Sequence, residues 1–420
     1  MPGKAFSFWA AGRRGRPRHA GGAAAVIVVA AVIAWAGTAC TSAPSGPAAA
    51  GPTSTPPAIM MLRQGAGNGD GDIFIAPQGG GPAGGPAGGP EIITTAGQVI
   101  WSHPLLAGEV ATDFRTQVYQ GKPVLTWWQG AGFGGLSTGT DYIYNDRYQQ
   151  IAQVNAGNGY SADGHEFLIT PQNTALILSF ATATANLASI GGPAGQAVID
   201  GIVQEIDIST GKVLFQWDSA GHVPYRDSHN PLPGSADTPW DWFHINAVHL
   251  DADGNLLISS RYTWTVYKVN RHTGAIMWEL GGKQSTFKLN AAPGQVLDHA
   301  GEIFAYQHDP EATGNDQYTV FDDESDGTVA LLPCSRVVTV QLDLASEVAT
   351  LVKSVKQPEG LLATAEGNAQ TTGNGDLFVG WGALPYISEF SPSGQLLFNA
   401  ELPDGLTSYR AYRLPWHPAG

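Results

Sequence analysis

The segment Gly211-Lys-Val-Leu-Phe-Gln-Trp217 shows the unit on which this chain is built, a turn glycine followed by a short apolar strand that ends in an aromatic residue. The same unit returns at three other places, Gly97–Trp101, Gly274–Trp278 and Gly394–Phe398. Glycine accommodates the positive φ of a tight turn, and the β-branched and aromatic residues after it favour a strand. The chain is therefore predicted to be all-β and repetitive.

A second repeated phrase places a hairpin turn before a buried strand. Asp253–Ser260 and Asn374–Trp381 are of this type, and Asp70–Ile75 is a looser version. Such units recur every ~40 to 65 residues, a period expected of propeller blades. We predict a β-propeller with six blades over residues 62–417. Seven blades would also fit the period, and a β-sandwich is the rival architecture.

The composition indicates a large core beneath an acidic surface. Hydrophobic residues make up 43% of the chain, enough to fill the interior of a domain of this length. The formal net charge of -15 argues against a nucleic-acid partner, because neutralising a phosphate backbone takes clustered Lys and Arg. A binding site for an anion would have to be a local exception to this charge.

The N-terminus has the features of an export signal. Lys4 and a cluster of arginines form a basic region, and an uncharged, mostly apolar run from Ala20 to Ala39 follows it. We predict that residues 1–39 are a signal peptide. Gly37-Thr-Ala-Cys40 resembles a lipobox, so Cys40 is predicted to be lipidated and to anchor the protein on the outer side of the cell membrane. An uncleaved signal anchor and secretion remain the alternatives.

Residues 40–61 are rich in Pro, Ala, Ser and Thr. This composition is typical of a disordered tether that holds a domain away from a membrane.

Four short stretches place three histidines and one arginine beside predicted strands. In a propeller, residues from several blades meet at the mouth of the central channel although they are far apart in sequence. If these four side chains converge, they form a cationic, imidazole-rich pocket suited to a sulfate or phosphate group. The stretches are Asp163–Phe167 around His165, Trp242–Asn246 around His244, Ser259–Tyr262 around Arg261, and Gln307–Pro310 around His308.

One hairpin is predicted to bring two of these residues together. His244 precedes an alternating strand, the turn lies at 251–255, and Leu256–Ser260 returns toward Arg261. His244 and Arg261 should then lie at the same end of the hairpin, with Asn246 on the same strand face as His244.

Each candidate also has a structural interpretation. His165 could bond to Glu166 or to backbone, His244 and Arg261 could tie blades together, and His308 could belong to a capped turn. Other polar groups are expected to be solvated: the acidic run Asp322–Asp326, which lacks the ligand pattern of a calcium loop, and His222, His229, His272, His299 and His417. A set of aromatic residues could form a shelf for a phenol or could be core: Tyr262, Trp264, Trp127, Trp128 and Trp381.

From Gly71 to Trp416 the chain resembles the bacterial arylsulfate sulfotransferases, and most closely the arylsulfotransferase-like propellers of actinobacteria and fungi. The resemblance rests on motifs that follow one another along nearly the whole chain: Leu125–Gly130, Asp163–Phe167, Trp242–Val248, Leu257–Thr263, Trp278–Lys283, Gln307–Asp309, Gly367–Gln370, Val379–Gly382 and Ser408–Arg413.

The resemblance implies a six-bladed propeller and a ping-pong reaction without an external nucleotide cofactor. No metal site is expected, because the histidine spacing of a metalloprotease helix is absent from the sequence. A phenolic sulfate ester would donate its sulfuryl group to His308, and a phenol would then accept it. His244 would be the proton-transfer partner, and His165 and Arg261 would hold the sulfuryl oxygens. A neutral imidazole is a competent nucleophile near pH 7, and cationic donors stabilise charge on the transferring group.

The main alternative is a non-catalytic propeller on the cell surface that binds an anionic or aromatic ligand with the same residues. Characterised family members carry an additional N-terminal β-rich domain associated with dimerisation, and here only the short segment before Gly97 could serve in its place. The oligomeric state is therefore left open.

Overall fold

A computed structural model describes residues 60–64, 69–79, 88–132 and 136–419. Within these residues the chain is all-β, and none of its helices is long and apolar enough to cross a membrane. The predicted signal peptide (1–39), Cys40 and the tether up to residue 59 lie outside the described residues. Met60 and Met61, the last two residues of the predicted tether, lie in a strand.

The first half of the described chain contains fourteen strands. They are β1 (Met60–Gln64), β2 (Asp72–Gln78), β3 (Glu91–Ile93), β4 (Val99–Ser102), β5 (Val110–Tyr119), β6 (Lys122–Ala131), β7 (Thr138–Tyr144), β8 (Gln150–Val154), β9 (Phe167–Ile169), β10 (Thr174–Ala185), β11 (Gln196–Asp207), β12 (Val213–Asp218), β13 (Trp240–Asp241) and β14 (Ile245–Leu250).

The second half of the described chain contains thirteen more strands. They are β15 (Leu256–Ser260), β16 (Thr265–Val269), β17 (Ile276–Leu280), β18 (Lys288–Ala291), β19 (His308–Gly314), β20 (Gln317–Asp322), β21 (Arg336–Asp343), β22 (Val348–Lys356), β23 (Asn368–Thr371), β24 (Leu377–Gly380), β25 (Tyr386–Phe390), β26 (Leu396–Glu401) and β27 (Thr407–Leu414). Four single-turn 3-10 helices lie between strands, at Ala188–Ile190, Ser219–Gly221, Tyr225–Asp227 and Pro403–Gly405.

The strands form six antiparallel blades around a channel, which confirms the predicted six-bladed propeller. In blade order from the channel outward they are β27-β2-β3-β4, β5-β6-β7-β8, β9-β10-β11-β12, β14-β15-β16-β17, β19-β20-β21-β22 and β23-β24-β25-β26. Two short strands add to blades in parallel, β13 beside β11 and β18 beside β22.

Both ends of the chain close the ring. The C-terminal strand β27 pairs with β2 and becomes the innermost strand of the first blade. At the other end, β1 pairs with β26 and adds to the outer edge of the last blade. Each of the two blades at the closure therefore contains a strand from the opposite end of the described chain, held by backbone hydrogen bonds. The closure of the ring does not depend on side-chain packing alone.

Apolar layers between neighbouring blades form the core. Trp217, at the end of the opening repeat unit, is fully buried, and its Nε1 donates to the carbonyl of Gly274, the turn glycine of the same unit in the next blade, at 3.2 Å. Trp278 and Phe398 at the corresponding ends are also buried. The repeated aromatic therefore packs one blade against the next.

Irregularities in the innermost strands turn side chains toward the channel. The pairing of β5 with β6 shifts between Thr112 and Arg115, and that of β19 with β20 shifts between His308 and Glu311. Asp113 and Asp309 in these bulges have φ of 51° and 49°. Bulges bend a strand and redirect a side chain, and left-handed backbone at residues other than glycine is characteristic of functional sites.

Candidate functional site

The four residues singled out in the sequence come together at the channel. His165 lies two residues before β9, His244 lies directly before β14, and His308 begins β19. The His165 and His244 rings meet edge to face with centroids 5.2 Å apart. Arg261 follows β15, and its backbone N–H donates to the carbonyl of His244 at 3.0 Å. The predicted hairpin is therefore present, with both residues at one end.

Each of the three histidines pairs through Nδ1 with an aspartate. His165 bonds to Asp163, His244 bonds to Asp241 at 2.5 Å, and His308 bonds to Asp323 at 2.7 Å. A carboxylate on Nδ1 orients an imidazole and leaves Nε2 as the only ring nitrogen for another partner. Burial would raise the pKa of Asp163, but the hydrogen bonds and charge of His165, with Ser137, outweigh burial and lower it.

His308 is held neutral. Burial lowers its pKa well below the ordinary value, and the nearby positive charges of Arg261, His165 and His244 lower it further. Its Nε2 accepts a hydrogen bond from the backbone N–H of Glu366 at 3.2 Å. With Nδ1 donating to Asp323, Nε2 carries the ring's lone pair, the atom that a nucleophilic imidazole needs.

Arg261 brings positive charge to the site but is anchored to backbone. Its Nη1 donates to Tyr306 O at 2.9 Å, and its Nη2 donates to Ser325 O at 3.2 Å and to Thr364 O at 2.6 Å. Three of the four Nη hydrogens are therefore used in tying segments of neighbouring blades together. Arg261 lies 3.9 Å from Asp323 and acts on the site chiefly through its charge.

Partly exposed aromatic side chains flank the histidines. Phe180 lies 5.8 Å from the His165 ring and 5.7 Å from the His244 ring, and Tyr262 lies 5.3 Å from His244. Phe180 also lines a cavity of about 370 Å³ together with Ser137 and Tyr160. Of the aromatic residues proposed from sequence as a shelf, Tyr262 contacts the site, whereas Trp127, Trp128 and Trp381 are fully buried core.

Asn246 is also drawn into this region. Its Nδ2 donates to the carbonyl of Gln307 at 2.7 Å, next to His308. Its buried Oδ1 has no hydrogen-bond partner within the described part of the chain.

Behind the histidines lies a buried ionic network. In three blades, two consecutive residues at or just before the innermost strand have different surroundings: the first side chain lies in the site and the second lies in the network. The pairs are His165 and Glu166, His308 and Asp309, and Tyr409 and Arg410. Arg410 contacts Glu166 Oε2 at 2.9 Å, Asp113 Oδ1 at 3.2 Å and Asp309 Oδ1 at 3.5 Å. Arg115 contacts the same Glu166 and Asp113.

Glu166, His249 and Asp309 lie close enough to hold a metal ion. The charges of their surroundings do not fit a divalent cation, since two guanidinium groups already share the carboxylates of Asp113, Glu166 and Asp309. Protonated His249 supplies the third positive charge, with Nε2 3.1 Å from Glu166 Oε2 and 3.2 Å from Asp309 Oδ1. The network is therefore neutral as a set of three carboxylates and three cations.

We expect the charge of His249 to make the free energy of unfolding depend on pH. Burial lowers its pKa, but the carboxylates of Glu166 and Asp309 outweigh burial and raise it to about 10. Because the folded pKa lies above the unfolded value, the stabilisation is full below pH ~6.5 and is lost as pH rises toward the folded value. We expect His249→Gln to destabilise the fold by about 3 kcal/mol at neutral pH. Urea unfolding should show this difference shrinking toward alkaline pH; a constant difference would contradict the assignment of charge to His249.

The acidic run at Asp322 and the ring of His229 were both predicted to be solvated, but the structure shields them from solvent. Asp322, Asp323 and Glu324 are fully buried. Asp322 and Glu324 hold the buried Arg336 at 2.8 and 2.9 Å, and Asp323 holds His308. The prediction of a solvated acidic turn was wrong because partners from other segments, the guanidinium of Arg336 and the imidazole of His308, bind these carboxyl groups in the interior. Burial raises the pKa of all three carboxyl groups.

His229 is the second correction. It was predicted to be solvated, but its ring stacks on Trp264 with centroids 3.6 Å apart, and its Nε2 is shielded from solvent. Burial, followed by the charge of Lys283, lowers the pKa of His229 to about 4, so the ring is neutral.

The aspartate partners, Glu366 and the residues of the ionic network were not predicted as site residues from the sequence. Asp163 and Asp241 could have been found, since each precedes its histidine by two or three residues. Asp323 follows the next strand of the same blade, 15 residues from His308, and Glu366 precedes the first strand of the next blade, 58 residues away. No local spacing signals such contacts.

The model of a family described as arylsulfotransferase (ASST) matches residues 115–402. No curated protein matches the sequence.

Several solved structures are similar to this chain at low identity. A protein of unknown function from Bacteroides caccae is 13% identical with a TM-score of 0.47, over 81% of this chain and 98% of that one. A catalytically inactive virginiamycin B lyase from Staphylococcus aureus is 9% identical with a TM-score of 0.40, over 81% and 88%. The β-propeller domain of Cps50 from Myceliophteria thermophila is 12% identical with a TM-score of 0.38, over 81% and 88%.

Proposed function

The chain belongs to the arylsulfotransferase (ASST) family, and on that premise we propose that it transfers a sulfuryl group from a phenolic sulfate ester to a phenol through a covalent intermediate on His308. The donor and acceptor are small molecules. No nucleotide cofactor takes part in the proposed reaction.

The observation that carries the proposal is the state of His308. It is buried and neutral, with Nδ1 oriented by Asp323 and the lone pair on Nε2. Arg261, His165 and His244 surround it with groups that can carry positive charge. A neutral nucleophile among cations suits attack on a sulfur whose oxygens carry negative charge.

In the proposed first step, the lone pair of His308 Nε2 leaves the N–H of Glu366 and attacks sulfur. The bond from sulfur to the phenolic oxygen breaks, and its electron pair stays on that oxygen, which takes a proton. In the second step a phenol loses its proton and attacks sulfur, and the N–S electron pair returns to Nε2. His165, His244 and the charge of Arg261 stabilise the sulfuryl oxygens, and Phe180 and Tyr262 flank the aryl group.

A binding propeller is the second candidate, and two contacts favour it. The Nε2 of His308 already accepts a hydrogen bond from the N–H of Glu366, and most of the Nη hydrogens of Arg261 are donated to backbone carbonyls. A site in this condition could hold an anionic aromatic ligand without reacting with it.

The test is a transfer assay on the purified full-length chain in detergent. With 4-methylumbelliferyl sulfate as donor, we expect release of the fluorescent phenol to depend on added phenol, and phenyl sulfate to appear in equal amount. Binding of the donor without release, from folded protein and across several acceptors, would instead support the binding propeller.

We also propose that the protein is exported and held on the outer side of the cell membrane by a lipid on Cys40. The supporting observations are the basic and apolar N-terminal regions and the Gly37-Thr-Ala-Cys40 motif. Labelling of cells with a fatty acid analogue should mark the wild-type chain and not a Cys40→Ser variant. Label on both chains would contradict lipidation at Cys40, and an unlabelled chain that retains residues 1–39 would favour the signal anchor.

A further inference from the structure

Glu366 occupies a strained and fixed position at the edge of the site. Its φ is 71°, in the left-handed region, and it directly precedes Gly367 and β23. The N–H of Glu366 donates to His308 Nε2 at 3.2 Å, and the N–H of Gly367 donates to the carbonyl of Tyr409 at 3.0 Å. Such backbone is strained and persists where the surroundings hold it, commonly at functional sites.

The carboxyl group of Glu366 lies among the charged residues of the site. Its Oε2 is shielded from solvent and has no hydrogen-bond partner among the residues that the structure describes. A buried oxygen without a partner is costly and points to a partner that arrives from outside the chain. The ionisable groups that face Glu366 or its peptide are His165, Arg261, His308, Asp323 and Tyr409.

Burial raises the pKa of Glu366 to about 7, against the opposing charges of His165 and Arg261. A group with a pKa near the operating pH can both give and take a proton, which is the property that general acid and base catalysis needs.

Other groups near His308 fit this role less well. Arg261 does not deprotonate in proteins. Burial raises the pKa of Tyr409 well above its ordinary value, so its hydroxyl is a poor proton donor. His244, the proton-transfer partner implied by family resemblance, has Nδ1 bonded to Asp241. It can still hold a sulfuryl oxygen through Nε2.

We propose that the Glu366 carboxyl is the group that passes the proton in both half-reactions, an inference that rests on the proposed function. In the first half-reaction the carboxyl O–H gives its proton to the departing phenolic oxygen as the S–O bond breaks and Nε2 of His308 bonds to sulfur. In the second, the carboxylate takes the proton of the acceptor phenol as its oxygen attacks sulfur and the N–S bond breaks. Glu366 ends each cycle protonated again.

The test compares two donors whose leaving groups differ in their need for a proton. Phenyl sulfate releases a basic phenolate, whereas 4-nitrophenyl sulfate releases one that is stable without a proton. Single-turnover release without acceptor is measured for wild type and Glu366→Gln, using the full-length chain. We expect the rate of phenol release by the variant to be about 100-fold lower than that of wild type with phenyl sulfate, and the rate with 4-nitrophenyl sulfate to change little.

The pH profile provides a readout that a structural role would not move. With wild type, release from phenyl sulfate should fall as pH rises through about 7, since the donating form of Glu366 is lost. The variant should lack this fall. Glutamine is a close match in shape to the protonated carboxyl, so the fold should be retained, and Glu366→Asp should recover part of the rate.

Three results would overturn the inference. An equal loss with both donors would make Glu366 a positioning residue. A loss dependent on the leaving group in His244→Gln, and not in Glu366→Gln, would assign the proton to His244. A wild-type protein that releases phenol from neither donor would remove the proposed function and this inference with it.

Discussion

Replacing His308 with alanine is expected to abolish sulfuryl transfer, with a loss in turnover of about 10,000-fold or more. The reason is chemical, since the variant lacks the atom that bonds to sulfur. His308 is buried and faces Asp323, so the variant leaves a small cavity and one carboxyl without its histidine. Fluorescent phenol release and a radiolabelled donor both measure the loss.

Radiolabelled donor also tests the intermediate directly. After incubation without acceptor and rapid denaturation, label should remain on wild-type protein in an acid-labile bond, and none should remain on the His308→Ala variant. His272→Ala is the matched control, because His272 is exposed and lies in the turn between β16 and β17. Retained label or transfer in His308→Ala would exclude His308 as the nucleophile.

Replacing Arg410 with methionine is expected to lower the free energy of unfolding by about 3–5 kcal/mol. Arg410 is fully buried and contacts the carboxylates of Glu166, Asp113 and Asp309. Methionine fills much of the space but supplies no charge, so a network with three carboxylates keeps only Arg115 and His249 as cations. Removing one partner of a buried ionic group is costly because the remaining charge is left uncompensated.

Chemical denaturation of Arg410→Met measures this loss. Arg226→Met is the matched control, since the Arg226 side chain is 64% exposed and lies 3.9 Å from Asp227; it should change stability by less than about 0.5 kcal/mol. The double variant Arg410→Met with Glu166→Gln should recover part of the stability, because it removes one carboxylate together with the cation. Equal unfolding of Arg410→Met and wild type would refute the described network.

Much of the fold could be predicted from local sequence. The repeated glycine, strand and aromatic unit predicted the blades because a turn and an alternating strand are decided by neighbouring residues. The hairpin from His244 to Arg261 was predictable for the same reason, as both strands and their turn lie within 18 residues, and Ile245 pairs with Ser260. The closure of the ring by β27 and β1 was not predicted, because it joins strands from opposite ends of the chain.

The residues of the site also divide into those that local sequence predicts and those that depend on contacts between distant segments. His165, His244, Arg261 and His308 could be selected because each lies in a short motif, and a propeller brings the inner ends of its blades together. The run at Asp322 was misread as a solvated turn, since burial depends on Arg336 and His308. A buried carboxyl group is costly unless a cation or a hydrogen-bond donor reaches it, and its own neighbours in sequence do not show whether one does.

Local sequence thus accounts for strands, turns, the apolar layers and the identity of the candidate residues, because these depend on side-chain periodicity and on contacts within one blade. The tertiary structure decides their chemical state. The three aspartate partners orient the imidazoles, and burial near positive charge keeps His308 neutral. The left-handed backbone of Glu366 places its N–H against Nε2 of His308. These properties arise from distances between residues of several blades and from desolvation of the buried groups.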